Sequence, residues 1–256
     1  MLLFAIKGQG TDRLVSKIRE AQVDSVPPRK AARAGAALAR KTATSADTDQ
    51  PPKSVENTRS QILAAAADEF AAKGLAGARV DAIARSSGCN KGMLYYFFKS
   101  KEDLYLEVLE SMYADMRRCE HDLDLAHLKP LEAIRSLVEF KFDYLESHPL
   151  LIRLLIGENL NDASYLKRSK RLRSLHLPLV DTLSNLLRAG AADGTLRPDI
   201  DIVQLYITIS ALSYFYFSNA ATLATAFEND LLSPASRAAR REHAVEVIFR
   251  FLLVNP

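Results

Sequence analysis

The twenty residues Arg79–Phe98, RVDAIARSSGCNKGMLYYFF, constrain the fold of this 256-residue chain more than any other segment. They divide at Gly88 into two short helical patterns. Val80, Ile83 and Ala84 fall at i, i+3 and i+4, one side of an α-helix. Gly88 follows where the chain must turn, and glycine takes positive φ without a Cβ clash. Asn90 stands at an N-cap position, where its side chain can accept from the free amides of the next turn. Leu94, Phe97 and Phe98 point inward from the second helix, while Lys91, Tyr95 and Tyr96 face elsewhere. Two helices that share an apolar face and keep a polar face form a helix-turn-helix. The second helix has the size that enters a DNA major groove, about 12 Å wide.

The flanking segments complete a head. Thr58–Lys73 places Ile62, Leu63, Ala66 and Phe70 on one face and is rich in alanine, the best helix former. Lys73-Gly74 ends it with a cation and a C′ glycine. Ser100 reads as the N-cap of a fourth helix, with Asp103 close to a capping-box position. Three helices over residues 54–104 therefore predict a compact DNA-binding domain.

This run resembles the N-terminal domain of the TetR/AcrR family of bacterial transcription regulators. The matching residues are Ile62-Leu63, Ala66, Phe70, Gly74, Val80, Ile83-Ala84, Gly88, Lys91-Gly92, Leu94-Tyr95, Phe98, Ser100-Lys101 and Leu104. The resemblance implies an all-α fold: a three-helix head with a helix-turn-helix, plus a larger helical ligand-binding and dimerisation domain. It also implies a homodimer on a palindromic double-stranded DNA operator, released by a small-molecule effector that shifts the fourth helix like a pendulum. The candidate DNA-contacting residues are Arg79, Asn90, Lys91, Gly92, Met93, Tyr95, Tyr96 and Lys101. Lys91 and Asn90 would reach bases or phosphates, Tyr95 and Tyr96 would pack on the backbone, and Lys101 would hold a phosphate. The chain departs from the common pattern at Arg79, Asn90, Met93 and Phe97. Arg79 gives up a cap but can reach a phosphate, Met93 offers only apolar contact, and Phe97 has no group to bond a phosphate.

Residues 105–256 read as helical nearly throughout. Expected helices run from about Lys101 to Leu123, from Pro130 to His148, and from Pro149 to about Leu160. A longer one spans Ala163–Ala189, interrupted or bent near Pro178. Ile200–Phe217 is expected to continue to about Ala226, and the last helix to run from near Pro234 to near Val254. Leu205, Ile209, Leu212 and Tyr216 recur at helical spacing, as do Val245, Ile248, Phe249 and Leu252. By the resemblance these two stripes form a four-helix dimer interface; the alternative is that they are monomer core only. The resemblance places a ligand pocket among the middle helices, with candidate lining residues Phe140, Tyr144, Arg153, Glu158, Asn159, His176, Tyr206, Tyr214 and Asn219. The basic run Lys167, Arg168, Lys170, Arg171 and Arg173 reads as a solvated helix face.

Composition bounds the alternatives. Hydrophobic residues make up 48% and charged residues 25%, ordinary for a globular protein. No apolar run is long enough to span a bilayer, so no membrane partner is expected. MLLFAIKG has no preceding basic region, and two cysteines suit a reducing cytoplasm. Net charge is only +3, but residues 1–53 hold ten Lys/Arg against five Asp/Glu and read as a flexible basic extension. Within it, Thr11–Val23 has the spacing of a short amphipathic helix, and Val26–Lys53 reads as an arm or a plain tail. No Walker A, GxSxG or HExxH motif appears, and Gly8-Gln9-Gly10 lacks the third glycine of a dinucleotide fingerprint. No catalytic residue and no cofactor are expected. Cys119, His121, Asp122, Asp124 and His127 cluster in sequence but do not share one helix face, so no metal site is assigned. The alternatives are a ligand-independent dimeric DNA-binding protein and a metal-binding or enzymatic helical protein with a vestigial head.

Overall fold

The computed structural model describes residues 53–254. The expected helix over Thr11–Val23 and the basic arm lie outside them, apart from Lys53. The described residues form ten α-helices: α1 Lys53–Gly77, α2 Val80–Ser86, α3 Lys91–Phe97, α4 Lys101–His121, α5 Pro130–Ser147, α6 Pro149–Leu160, α7 Leu172–Ala192, α8 Ile202–Ser218, α9 Ala220–Phe227 and α10 Pro234–Leu252. Short 3-10 turns stand at Leu125–His127 and Leu166–Arg168. Among the described residues the only extended pairing is an isolated antiparallel bridge between Leu196 and Leu253. The all-α expectation holds.

Local chemistry sets the helix ends in the head. α1 starts at Lys53, ahead of the expected Thr58, and its regular path breaks at Gly74, where φ is 65° and ψ 170°. Gly88 turns the chain between α2 and α3 with φ 70°. α2 has no side-chain cap from Arg79; instead the Arg79 backbone N–H donates to the Glu69 carboxylate of α1 at 3.0 Å. The Asn90 side chain accepts from the Met93 N–H at 2.8 Å, and the Ser100 hydroxyl accepts from the Asp103 N–H at 3.0 Å. Both expected caps are present.

One core joins the head to the helices beyond it. Ile62, Ala66 and Phe70 of α1 pack with Ile83 of α2, Leu94 of α3, and Leu104, Val108 and Leu109 of α4. Leu154 of α6 belongs to the same cluster. A second core gathers Ile134, Leu137 and Val138 of α5, Leu183 and Leu187 of α7, Leu205 and Ile209 of α8, and Val245, Ile248 and Leu252 of α10. α4 spans from the first core toward the second region, and α5 lies between α7, α8 and α10.

Several body boundaries differ from the sequence reading. No single helix covers Ala163–Ala189. Asp162 and Ala163 both take φ 53°, which ends α6, and α7 begins only at Leu172, whose N–H donates to the Ser169 hydroxyl at 3.0 Å. Pro178 sits inside α7, which runs through it without the expected interruption. α8 stops at Ser218 because Asn219 turns its amide back to the Phe215 carbonyl at 3.0 Å, and α9 starts afresh. α4 ends at His121 and α10 at Leu252, each about two residues early.

The larger correction concerns the two apolar stripes. Leu205, Ile209 and Tyr216 are buried within the subunit, as are Val245, Ile248, Phe249 and Leu252, and Leu212 packs against that core. They are monomer core. The exposed apolar row of α8 is a different one: Val203, Ile207, Ala211 and Phe215, each four residues from the last.

Gly190 shows how tightly α7 meets the following loop. A Cβ there would lie 2.5 Å from Cγ and Cδ1 of Leu196. Leu196 is buried, and its N–H donates to the Gly190 carbonyl at 2.8 Å, so it has little room to move. Gly190→Ala is expected to destabilise the folded chain by about 1–3 kcal/mol in urea unfolding. Gly77→Ala, whose Cβ meets only the Lys73 Cβ at 3.4 Å, is expected to leave the midpoint nearly unchanged.

Candidate functional site

The outer face of α3 is built by burying its inner one. Leu94 is fully buried and Phe98 nearly so, which turns Met93, Tyr95 and Tyr96 outward; Tyr96 is 79% exposed. Lys91 is also exposed, and its ammonium pairs with Asp81 of α2 at 2.6 Å across the turn. Arg79, Asp81, Arg85, Cys89, Asn90 and Lys91 line one shallow cleft between α2 and α3. Arg85 is exposed on this cleft and belongs with the expected residues; its place after Ala84 in the helix pattern was the signal for it. Asn90 keeps its side-chain oxygen on the cap. Gly92 makes room for that cap, since a Cβ there would stand 3.3 Å from the Asn90 oxygen. Lys101 is partly buried and donates to the Ala78 carbonyl at 3.3 Å, which ties α4 to the start of the helix-turn-helix. Phe97 is partly buried among the head residues.

The body holds a buried polar cluster. The Arg117 guanidinium donates to the Glu120 carboxylate and, at 3.0 Å, to the Tyr206 hydroxyl. Lys141 of α5 reaches the other Glu120 oxygen at 3.1 Å. All three charged side chains are less than 10% exposed. The Lys141 ammonium also lies 5.1 Å from the Tyr206 ring centre. His176 of α7 meets the edge of that ring, its own Nδ1 facing the Leu172 carbonyl at 2.8 Å. Burial pushes the Tyr206 hydroxyl up, but Lys141 and Arg117 outweigh it and hold the group below its usual 10. Burial lowers His176 below 6.5, and both cations add to that.

The nine candidate pocket residues fall into several groups. His176 and Tyr206 join the cluster around Arg117. Phe140 and Tyr144 pack in a tilted ring pair with centres 5.5 Å apart, and the Tyr144 hydroxyl donates to Asp115 at 2.9 Å. Tyr214 packs at the rim of the same group. Glu158 is buried and accepts from the Leu166 N–H at 3.0 Å. Arg153 and Asn159 are exposed, and Asn219 closes α8. A cavity of about 350 Å³ instead opens between α4 and α7, lined by Arg117, Glu120, Ser174, Leu175, Pro178 and Leu179 among others, and by none of the nine. Arg117 and Glu120 were missed because charged residues at helical spacing read as surface. Among the described residues no group of His, Cys, Asp and Glu could hold a metal ion; His127 pairs with Asp124, and Cys119 points toward Asp115. No described helix is long and apolar enough to cross a membrane.

A capped recognition-sized helix on a three-helix head, joined to a larger helical body, defines a helix-turn-helix DNA-binding regulator. Residues 62–108 match the family described as bacterial regulatory proteins, tetR family, and residues 130–248 match the tetracyclin repressor-like C-terminal domain. The chain is 38% identical over 183 residues to the HTH-type transcriptional repressor NicS of Pseudomonas putida, covering 72% of this chain and 86% of that one. It is 32% identical to the HTH-type transcriptional repressor KstR2 of Mycolicibacterium smegmatis, over 60% of this chain and 75% of that one. The crystal structure of SCO4942 from Streptomyces coelicolor superposes with a TM-score of 0.60 at 28% identity, covering 78% of this chain and 99% of the other. The chain belongs to the TetR family of bacterial transcription regulators.

The buried imidazole makes stability depend on pH. Above the ordinary 6.5, His176 is neutral folded and unfolded, and pH has no leverage through it. Below 6.5 the unfolded chain takes the proton first, so stability falls with pH until the lower folded value is passed. The urea midpoint is expected to decline as pH falls below about 6.5, and His176→Gln to reduce that slope.

Proposed function

We propose that this protein is a transcriptional repressor that binds a palindromic operator as a homodimer and leaves it when a small molecule occupies the body. The observation that carries this reading is α3, a capped helix whose inner side is buried and whose outer side presents Lys91, Met93, Tyr95 and Tyr96. Lys91 and Arg79 supply cations for phosphates, with Arg85 beside them on the same cleft. Asn90 and Gly92 form the cap that lets backbone amides face the duplex. Tyr95 and Tyr96 pack on the sugar-phosphate backbone, and Met93 offers an apolar contact such as a thymine methyl would meet. Lys101 acts at the N-terminus of α4, where its bond to the Ala78 carbonyl keeps α2 aligned with α4.

The head comprises residues 54–104 and the sensing and dimerising body residues 105–256. The exposed row Val203, Ile207, Ala211 and Phe215 on α8, with Phe251 of α10 also exposed, is the surface that supports a two-fold contact. Such a contact places two α3 helices on successive major grooves, about 34–36 Å apart. The repressor relatives support the sign of regulation, and the reading involves no catalytic step. A cytoplasmic location follows for a protein that meets chromosomal DNA.

Two measurements test this reading. Lys91→Ala and Tyr95→Ala should each weaken operator binding by roughly tenfold or more, with Lys91→Ala lowering the slope of log affinity against log salt by about one. Unchanged affinity in both variants would sink the DNA-binding role of α3. The pair Ile207→Arg with Phe215→Arg should sediment as a folded monomer and lose high-affinity operator binding. A persistent dimer would remove α8 from the interface.

A further inference from the structure

The cavity between α4 and α7 has apolar walls and a charged floor. Leu125, Leu175, Pro178 and Leu179 provide much of the wall, and Arg117 and Glu120 form the floor. That floor is not electrically balanced. Arg117 and Lys141 are both buried, and they share the single carboxylate of Glu120, one on each oxygen. The remaining close neighbours are the Tyr206 hydroxyl, the Met116 sulfur and the His176 ring, which supply no fixed negative charge. At the solvent side, Arg118 pairs with both Asp115 and Asp122, and Asp124 with His127, so the surplus positive charge is confined to the buried floor behind an acid-rich rim.

The guanidinium has one donor to spare. Its two terminal nitrogens serve Glu120 and Tyr206, while the buried Nε–H has no partner among the described residues. The orphan Nε–H is one donor that an anionic oxygen can satisfy, next to a Glu120 oxygen that also lacks a hydrogen bond. An interior cation without a full counter-charge is costly, and an anion entering the site removes that cost. The α7 wall adds an acceptor. Pro178 has no N–H, so the carbonyl of Ser174 lacks its helical partner, and both residues line the cavity.

We infer that this cavity is the effector site and that its ligand class is a small organic carboxylate, with the anion on Arg117 and the apolar part against Leu175, Pro178 and Leu179. The inference rests on the reading of the chain as an effector-released repressor. A volume of about 350 Å³ suits a ligand of one ring or a short chain. Arg117 lies on α4, the helix whose first turns pack into the head core, so occupation of the cavity bears on the element that carries the head.

The test uses the full chain and three matched pairs: benzoate and benzamide, cyclohexanecarboxylate and cyclohexanecarboxamide, hexanoate and hexanamide. Binding is read by calorimetry and release by operator fluorescence anisotropy. At least one carboxylate is expected to bind tenfold or more tighter than its amide, roughly the value of a charge-assisted pair, and to release the operator. Lys141→Met removes the surplus charge without touching the cavity wall, leaving Arg117 and Glu120 as a balanced pair, and should bring carboxylate and amide close to parity. Glu120→Gln increases the surplus and should widen the preference. Operator affinity of each variant without ligand reports its fold. Equal binding within every pair, a full preference retained in Lys141→Met, or no carboxylate bound by an operator-competent chain would each overturn the inference. Sulfate binding as tightly as benzoate would make the site one for inorganic anions and also overturn it. Loss of operator binding by the unmodified chain would instead overturn the repressor reading, while the calorimetric preference would still judge the ligand class.

Discussion

The body is organised around one carboxylate that serves two cations. Glu120 and Arg117 stand on α4, Lys141 on α5, and Tyr206 on α8, so this single buried group ties three helices together. Apolar packing alone would let these helices slide, because Leu and Ile contacts are non-directional. The ion pairs and the phenol bond set a rotation and a register. The arrangement is asymmetric in energy. Removing one partner from a buried pair costs about 3–5 kcal/mol because it strands the other charge. A three-member group with two cations and one anion already carries part of that cost in the folded state.

α4 turns this local asymmetry into a property of the whole chain. Tyr105 and Arg117 are twelve residues apart on it, about 18 Å at the rise of an α-helix. Tyr105 packs edge-on against Phe70 of α1 and against Tyr165 of the loop before α7. Burial pushes the Tyr105 hydroxyl well above its usual range, and the adjacent Glu158 adds to that, so it stays protonated and can donate within this junction. The end of α4 near the head is therefore fixed by rings and a buried carboxylate, and the far end by the Glu120 cluster. A helix with both ends packed in separate cores moves as a unit or not at all. That is the mechanical basis on which an event at Arg117 can be felt at α3.

The head was legible in the sequence because its signals are local. Gly88 turns the chain at positive φ, Asn90 and Ser100 cap their helices, and Ile83 and Leu94 are buried, each as its own neighbours in sequence require. Even there, the missing cap at Arg79 was resolved by a non-local group. Glu69, ten residues earlier on α1, accepts the Arg79 N–H, and its carboxylate is held below the usual range by the hydrogen bond from Lys73 and then by that backbone contact. Spacing within α2 could not show this, since the partner lies on another helix.

The body was legible in its helices and much less so in its faces, and α8 shows why. It is apolar on nearly every side, so periodicity cannot tell the stripe facing the subunit's own core from the stripe left for another surface. Leu205 and Ile209 were read as an interface and are core, while Val203 and Ile207, each two residues from Leu205, remain exposed. The cavity failed to show for the opposite reason. Arg117 and Glu120 at i, i+3, next to Arg118, look like an exposed ion pair on a polar helix end, yet their neighbour Arg118 alone is at the surface. What buries them is Lys141, twenty-one residues beyond Glu120 and on a different helix, together with Tyr206 from α8. A charged residue is read as surface because burial without a partner is too costly. Sequence alone does not reveal the partner when it comes from another helix, and in this chain the partner's charge is what leaves Arg117 a donor for a third.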